Sequence, residues 1–192
     1  MEFKDSQTAR NLLKAFAGES QARNRYVFAA GIARAEGLEH VAAIFEETAA
    51  NEQEHAKLFF KHLAPLAPSA LEITASYPAV AGDTAAQLKA AFEGENEEWS
   101  ILYPEFARIA REEGFPEAAR TFEMVSRVEK EHEARYRRLH DHVVNGTVFQ
   151  RGEKIWWRCM VCGHIHEGLA APRLCPVCLH PQAHFEPVAE AF

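Results

Sequence analysis

The sequence predicts a mainly α-helical protein: a four-helix bundle with a long crossover, followed by a small module built around four cysteines. Residues 1–146 contain four long segments with apolar residues at three- and four-residue spacing, the period of amphipathic helices. All four cysteines come later in the chain, in two Cys-x-x-Cys pairs. We therefore divide the chain into residues 1–146, called the bundle, and residues 147–192, called the cysteine module.

The helical segments are bounded by glycine and proline. They run from about Ser6 to Glu36, from Leu38 to Leu63, from Thr84 to Gly114 and from Pro116 to Asn145. Thr84, with Gln87 at capping-box spacing, is expected to cap the third helix. Residues 64–82 contain several prolines and no helical period. They form a linker that can cross the full length of a bundle, ~40 Å for helices of this size.

The first helical pair resembles the second, which indicates an internal duplication. The pattern Ala-Phe-x-Gly-Glu ending at Glu19 returns at Glu95, 76 residues later, whereas the pattern ending at His55 returns at His132, 77 residues later. The second copy therefore has one extra residue. Since Tyr103 keeps its repeat partner Tyr26, we place the extra residue between Glu95 and Tyr103 and predict a π-type turn near residues 99–103.

Composition and charge exclude several classes of protein. The 192 residues carry 21 Lys and Arg against 28 Asp and Glu, a net charge of −7, which argues against nucleic acid as the main partner. No apolar run approaches the ~18 residues of a membrane span. The phosphate-cradling P-loop and the dinucleotide pattern GxGxxG are both missing from the sequence. The polar N-terminus lacks an apolar signal region, so we expect a cytoplasmic protein.

Two histidines in equivalent repeat positions stand out. Of ten histidines, only His55 and His132 have a glutamate three residues earlier, and positions i and i+3 share a helix face. These glutamates, Glu52 and Glu129, lie on apolar stripes, as do the lone glutamates of the other two helices, Glu19 and Glu95.

A buried carboxylate must be paired, protonated or metal-bound. Pairing with arginine is one alternative, since four arginines are close in sequence: Arg23, Arg25, Arg127 and Arg135. Two ExxH pairs with a lone inward glutamate on each remaining helix instead match the ligand pattern of dinuclear metal sites in helical bundles. Carboxylate and imidazole ligands suit iron or manganese, and zinc would be redox-silent.

The second half adds Glu98, which we expect the π-type turn to place against the same metal pair as Glu95. Five carboxylates would then face two divalent ions. Tyr26 and Tyr103, about two helical turns from the ligands, either donate hydrogen bonds to them or serve as core aromatics with satisfied hydroxyl groups.

The cysteine module predicts a four-thiolate metal site. Cys159 and Cys162 form one knuckle and Cys175 and Cys178 the other, a spacing typical of tetrahedral metal binding. The spacing leaves open structural zinc or electron-carrying iron. Trp156, Trp157 and Phe185 are expected to wrap the site. The four histidines nearby, at positions 164, 166, 180 and 184, are expected at the surface.

These residues resemble the rubrerythrin family over nearly the whole chain. The motifs are residues 15–26 (AFAGESQARNRY), residues 103–114 (YPEFARIAREEG) and Trp157-Arg158-Cys159. The resemblance implies a ferritin-like bundle with a non-haem di-iron centre, joined to a rubredoxin-like domain with one iron on four cysteines. It implies seven di-iron ligands: Glu19, Glu52, His55, Glu95, Glu98, Glu129 and His132. Glu52 and Glu129 would bridge the irons, and Glu98 and His55 would exchange at one iron as its oxidation state changes.

One position departs from the family pattern. The second knuckle is followed by Leu179, where free rubredoxins usually have glycine, and this difference is expected to alter the hydrogen bonds to sulfur.

The resemblance also implies peroxide reduction. We expect hydrogen peroxide to be reduced to water at the di-iron site by an NAD(P)H-linked peroxidase. Electrons would enter the four-cysteine iron from an external donor, a rubredoxin or a separate reductase. The alternatives are a ferroxidase or iron-handling protein with the same site, and a non-enzymatic zinc-ribbon protein. Head-to-tail pairing in the family further predicts a homodimer, which would bring one chain's four-cysteine iron near its partner's di-iron pair.

Overall fold

The computed structural model of the chain describes residues 2–188. Five α-helices, one π-helical turn and three strands follow one another: α1 (Gln7–Ala35), α2 (Glu39–His62), α3 (Thr84–Glu97), the π turn (Glu98–Leu102), α4 (Tyr103–Glu112), α5 (Pro116–Val144), β1 (Gln150–Cys159), β2 (Ile165–Ala170) and β3 (Phe185–Pro187). Because α3, the π turn and α4 are continuous, they form the third helix of a four-helix bundle. The fold class predicted from the sequence is confirmed.

The helix ends follow their local sequence signals with one exception. The Ser6 side chain accepts the N–H of Ala9 at the start of α1. Gly37, Gly114 and Gly146 have positive φ angles of 75°, 87° and 64° just beyond helices, as expected of glycine at helix ends.

The prediction that Thr84 caps the third helix is wrong. Thr84 is the first residue inside α3, and the preceding Asp83 is the cap, accepting the N–H of Ala86 at 2.9 Å. Both residue types are good caps, so the local pattern did not distinguish them.

The bundle core is divided in two by a polar layer. One apolar cluster includes Tyr26, Phe45 and Tyr136, and the other includes Phe59 and Phe122. Along α1, α2 and α5 the buried charged residues lie between these two clusters. The apolar residues on both sides therefore close the charged layer off from the ends of the bundle.

The linker crosses the outside of the bundle without regular structure after a short 3₁₀ turn at Ala64–Leu66. The hydroxyl of Tyr77 donates a hydrogen bond to the carbonyl of Lys14 on α1 at 2.8 Å. This contact fixes the middle of the linker against α1.

The cysteine module contains a three-stranded antiparallel sheet in the order β2-β1-β3. Trp157 and Phe185 are buried against Cys159 and Cys175, as expected. Trp156 is 47% exposed, so the expectation that it wraps the site is wrong. Neighbouring strand residues point to opposite faces, and Trp157 takes the inner one.

A contact between a histidine and a carboxylate joins the module to the bundle. His40 Nδ1 of α2 lies 3.2 Å from a carboxylate oxygen of Glu186 in β3. Within residues 2–188, no helix is both long and apolar enough to cross a membrane.

Candidate metal centres

Four glutamates and two histidines of one chain converge in the polar layer of the bundle. Their ligand atoms form two groups, in each of which all atoms lie within 4.8 Å of one another: Glu19, Glu52, His55 and Glu129, and Glu52, Glu95, Glu129 and His132. All six side chains are buried. Glu52 and Glu129 belong to both groups, which is the arrangement needed for bridging two metal ions.

Both histidines present Nδ1 to the shared glutamates. His55 Nδ1 lies 2.8 Å from Glu52 Oε2 and 2.9 Å from Glu129 Oε1. His132 Nδ1 lies 2.9 Å from Glu129 Oε2 and 3.1 Å from Glu52 Oε1. The two imidazole rings stack with their centroids 5.9 Å apart. The repeat seen in the sequence is therefore a twofold arrangement of ligands.

Two buried tyrosines hold the remaining glutamates of the groups. The hydroxyl of Tyr26 donates a hydrogen bond of 2.5 Å to Glu95 Oε1, and the hydroxyl of Tyr103 donates a short hydrogen bond to Glu19 Oε1. Of the two interpretations open from the sequence, the structure supports hydrogen bonding to the ligands. Each bond leaves the second carboxylate oxygen of its glutamate free for a metal.

Burial and mutual repulsion disfavour the charged carboxylates. Desolvation, and then repulsion from neighbouring carboxylates, raise the pKa of Glu19, Glu95 and Glu98 well above the usual value. Desolvation opposes ionisation of Glu52 as well, but hydrogen bonds from His132 and His55 outweigh it and lower its pKa to about 2. Without a bound cation, burial therefore favours the protonated form of three carboxyl groups, those of Glu19, Glu95 and Glu98.

The two histidines supply positive charge to this layer because their pKa values are raised. Burial lowers the pKa of His55, but hydrogen bonds to Glu129 and Glu52 outweigh burial and raise the pKa to about 10. The same balance raises the pKa of His132 to about 9. Two metal ions among these atoms would supply the positive charge directly and use the Nδ1 atoms as neutral ligands.

Orphaned polar atoms make the fit to metal specific. Although the histidine rings lie close to them, several buried atoms of the layer make no well-aligned hydrogen bond: Glu52 Oε1, Glu95 Oε2, Glu129 Oε1, Glu129 Oε2 and His132 Nδ1. A buried polar atom without a partner is costly, and coordination to metal satisfies it. Carboxylate and imidazole donors of this kind suit iron.

The arginine alternative is not supported by the described residues. Arg23 donates to Gln53, Arg25 to Gln21 and Arg135 to Glu47 on the outside of the bundle. Across residues 2–188, no arginine forms an ion pair with a glutamate of the two groups.

The π turn is confirmed at Glu98–Leu102, one residue earlier than expected. It absorbs the extra residue of the second repeat and restores Tyr103 to its position opposite Tyr26. Glu98 itself joins neither group of converging ligand atoms. Its carboxylate faces Gly18 of α1, where Oε1 would lie 3.8 Å from a Cβ built on that glycine.

Glu98 therefore lies beside the two groups, and its role as a metal ligand stays a prediction. The π turn sets the direction in which the Glu98 side chain leaves the backbone, whereas the side-chain rotamer determines the position of the carboxylate. His55 is inside a ligand group and Glu98 is outside both groups.

The four cysteines of the module also converge. Their Sγ atoms lie within 4.8 Å of one another, with 3.7 Å between Cys159 and Cys178 and 3.6 Å between Cys162 and Cys175. Desolvation raises the pKa of Cys175, but backbone N–H groups of Cys178 and Val177 outweigh it and lower the pKa to about 6. At Cys175 the knuckle backbone thus favours the thiolate, the form that binds metal. At Cys178 the backbone N–H of His180 acts in the same direction, but desolvation and the three neighbouring cysteines outweigh it and raise the pKa to about 12.

The histidines near this site remain outside it. The side chains at positions 164, 166, 180 and 184 are half-buried, more than expected of surface residues, and none joins the thiolate group. The four cysteines therefore supply, by themselves, the four ligands that a tetrahedral metal site needs.

Leu179 adopts the left-handed backbone conformation that its position requires. Its φ angle is 60°, close to the 77° of Gly163 at the equivalent position of the first knuckle. The N–H of Leu179 donates to the Cys175 carbonyl at 3.0 Å, as the N–H of Gly163 does to Cys159 at 2.9 Å. The two knuckles therefore have the same backbone conformation. For a residue other than glycine, such as leucine, this left-handed conformation costs about 1–2 kcal/mol.

Fold and site together define a class of protein: a ferritin-like bundle with a dinuclear carboxylate–histidine centre, joined to a small four-cysteine metal domain. The comparisons agree. The rubrerythrin family model matches residues 10–140, and the model of the rubrerythrin rubredoxin-like domain matches residues 157–186. The chain belongs to the rubrerythrin family. It carries that family's di-iron site in the bundle and its iron site on the four cysteines.

Relatives match over nearly their full length. A rubrerythrin of Porphyromonas gingivalis is 54% identical over 186 residues, covering 96% of this chain and 92% of the relative. A rubrerythrin of Nitratidesulfovibrio vulgaris is 49% identical, covering 95% of each chain. The solved structure of nigerythrin in a mixed-valence state is 31% identical with a TM-score of 0.64, covering 96% of this chain and 90% of the other.

One residue beside the bundle centre was missed in the sequence. Tyr77 lies in the linker, where no periodicity indicates which side chains face the bundle, yet its ring contacts the helix at Gly18. The only available signal was a single aromatic residue among small and proline residues.

Proposed function

We propose that the protein reduces hydrogen peroxide to water, taking electrons from an external donor through the four-cysteine iron. The observation that carries the proposal is the pairing of two metal centres of different kinds in one chain. The bundle centre is built from buried groups with unsatisfied ligand atoms and borders a cavity at Glu98. The four thiolates complete their own site, which leaves it no position for substrate and suits it to electron transfer.

The reaction consumes one peroxide, two electrons and two protons, and forms two waters. A ferrous pair held by these residues would supply the two electrons. Glu52 and Glu129, buried and shared by both ligand groups, would hold both ions. Tyr26 and Tyr103 orient Glu95 and Glu19 through their hydrogen bonds. The apolar clusters on either side exclude water from the layer.

The donor is a rubredoxin or an NAD(P)H-dependent reductase acting from outside the chain. The sequence shows neither nucleotide-binding pattern, so the nicotinamide step belongs to a separate protein. We place the reaction in the cytoplasm, where thiols stay reduced, because all four cysteines are free and grouped for metal binding.

Two assays on one iron-loaded preparation test the proposal against the alternatives. In the first, the reduced protein receives hydrogen peroxide and peroxide loss is measured. In the second, the protein receives Fe²⁺ and dioxygen and Fe²⁺ consumption is measured. Rapid peroxide loss with slow Fe²⁺ consumption supports a peroxidase, and the reverse supports a ferroxidase. A native protein without visible charge-transfer absorption would indicate zinc and overturn both.

We further propose a homodimer in which one chain's four-cysteine iron reduces its partner's di-iron pair. The module follows α5 at the end of the bundle, whereas the ligand glutamates of α5 lie near the middle of that helix. Electron transfer within one chain would therefore have to cover about half of the ~40 Å bundle length.

Complementation in mixed dimers tests this arrangement. A chain with all four cysteines replaced by serine and a chain with Glu52→Ala and Glu129→Ala should each be inactive with the external donor, and co-refolding them should restore turnover. Mixed dimers are verified with two affinity tags. Verified mixed dimers that remain inactive would contradict electron transfer between partners.

A further inference from the structure

A cavity of 710 Å³ opens beside Glu98 between α1, the linker and the third bundle helix. Its wall includes Glu98 and Tyr103 on the inner side and Tyr77 of the linker on the outer side. Tyr103 is hydrogen-bonded to Glu19, a member of one ligand group, so the inner wall borders the di-iron site. The volume is within the range of ligand pockets, ~300–1,000 Å³, and holds roughly twenty times the ~30 Å³ share of one water molecule.

Gly18 lines this cavity between Tyr77 and Glu98. A Cβ built on Gly18 would lie 3.6 Å from the Tyr77 ring and 3.8 Å from Glu98 Oε1. Glycine inside a helix is less favourable than alanine. The repeat partner Gly94 and the exposed Gly31 would meet nothing within 4 Å. Gly18 is thus the glycine of α1 at which a longer side chain would enter the space between the linker and Glu98.

Tyr77 closes the outer side. Its hydroxyl is bonded to the Lys14 carbonyl one helical turn before Gly18, and its ring lies over Gly18. The ring keeps 42% of its surface exposed, so it lies between solvent and the cavity. Removing the ring would open the cavity to the outside without altering any ligand atom of the metal centre.

We propose that this cavity is the route by which peroxide reaches the di-iron site, and that Gly18 and Tyr77 set the size of hydroperoxide admitted. The identity of the substrate, peroxide, rests on the proposed function, whereas the route itself rests on the geometry of the cavity. Gly18 keeps the passage open next to Glu98, and Tyr77 restricts molecules that carry a bulky organic group. Both are positioning residues, since neither belongs to a ligand group.

The first arm of the test measures access without turnover. Azide is mixed with the oxidised, iron-loaded protein, and its association with the di-iron site is followed by absorbance. Gly18→Leu should slow azide association about tenfold or more by filling the passage. The matched control Gly31→Leu, on the same helix but exposed, should change it by less than about twofold. Gly18→Ala adds only a Cβ, which lies at ordinary contact distances from Tyr77 and Glu98. This variant controls for misfolding as the cause of slow azide association.

The second arm measures size selection. The rates with hydrogen peroxide and with cumene hydroperoxide are compared in Tyr77→Ala, Tyr77→Phe and the unchanged protein. Tyr77→Ala should raise the rate ratio of cumene hydroperoxide to hydrogen peroxide about tenfold. Tyr77→Phe, which keeps the ring and loses the bond to Lys14, should raise it less.

The outcomes separate this proposal from the proposed function. Equal azide rates in Gly18→Leu and Gly31→Leu would overturn the route, as would a rate ratio that Tyr77→Ala leaves unchanged. A protein that reduces no peroxide but shows the azide effect would overturn the proposed function and support the route.

Discussion

Glu52→Ala and Glu129→Ala should each give a folded protein that no longer retains two iron atoms in the bundle. Each glutamate belongs to both ligand groups, so each substitution removes a ligand from both metals. Removing a residue that only hydrogen-bonds a metal ligand already lowers metal affinity about 10–100-fold. Removing a ligand that both metals share should lower metal affinity further. The remaining buried carboxylates would also face each other with less counter-charge.

Elemental analysis after gel filtration measures this loss, with the iron of the four cysteines as internal reference. Glu54→Ala and Glu131→Ala are matched controls, because these exposed glutamates lie two residues from Glu52 and Glu129 on the same helices. Both controls should keep full iron content. Full iron in Glu52→Ala or Glu129→Ala would show that the bridging assignment is wrong.

Glu98→Ala should keep the iron pair but lower peroxide turnover about 10–100-fold. The six other side chains already form both ligand groups, so Glu98 is not needed for loading. The carboxylate nevertheless lies beside the site, at the wall of the cavity. If it exchanges with His55, as the family resemblance implies, the harder carboxylate would favour the ferric ion and the neutral imidazole the ferrous ion.

Turnover is compared at equal iron content, with Glu131→Ala as control. Glu98→Gln keeps the size of the side chain and should also be slow, because the amide is a weaker ligand for ferric iron. Near-normal turnover by Glu98→Ala with full iron content would show that Glu98 takes no part in the reaction.

The bundle and its six converging ligands were predictable because both depend on regular spacing. The ExxH pairs at Glu52 and Glu129 recur at one repeat length, and a helix converts that spacing into a shared face. The π turn followed from counting residues between two repeat partners. These features are properties of the backbone and need no knowledge of side-chain rotamers.

Three features were not predictable for physical reasons. The position of the Glu98 carboxylate depends on its rotamer beside Gly18, which spacing does not fix. Tyr77 lies in a segment without period, so its contact with α1 depends on the tertiary path of the linker. Trp156 and Trp157 are adjacent aromatic residues of one strand, and composition alone does not show which of them faces the thiolates.

Stopped-flow mixing of the anaerobically reduced, iron-quantified protein with hydrogen peroxide tests the central claim most directly. We expect rapid oxidation of the di-iron pair with two electrons removed per peroxide. Slower oxidation of the four-cysteine iron should follow, seen as the appearance of its ferric charge-transfer colour, and this colour should bleach as the donor reduces that iron again. Slow reaction with peroxide, together with faster oxidation by dioxygen, would contradict the account and indicate iron oxidation as the function of the same site.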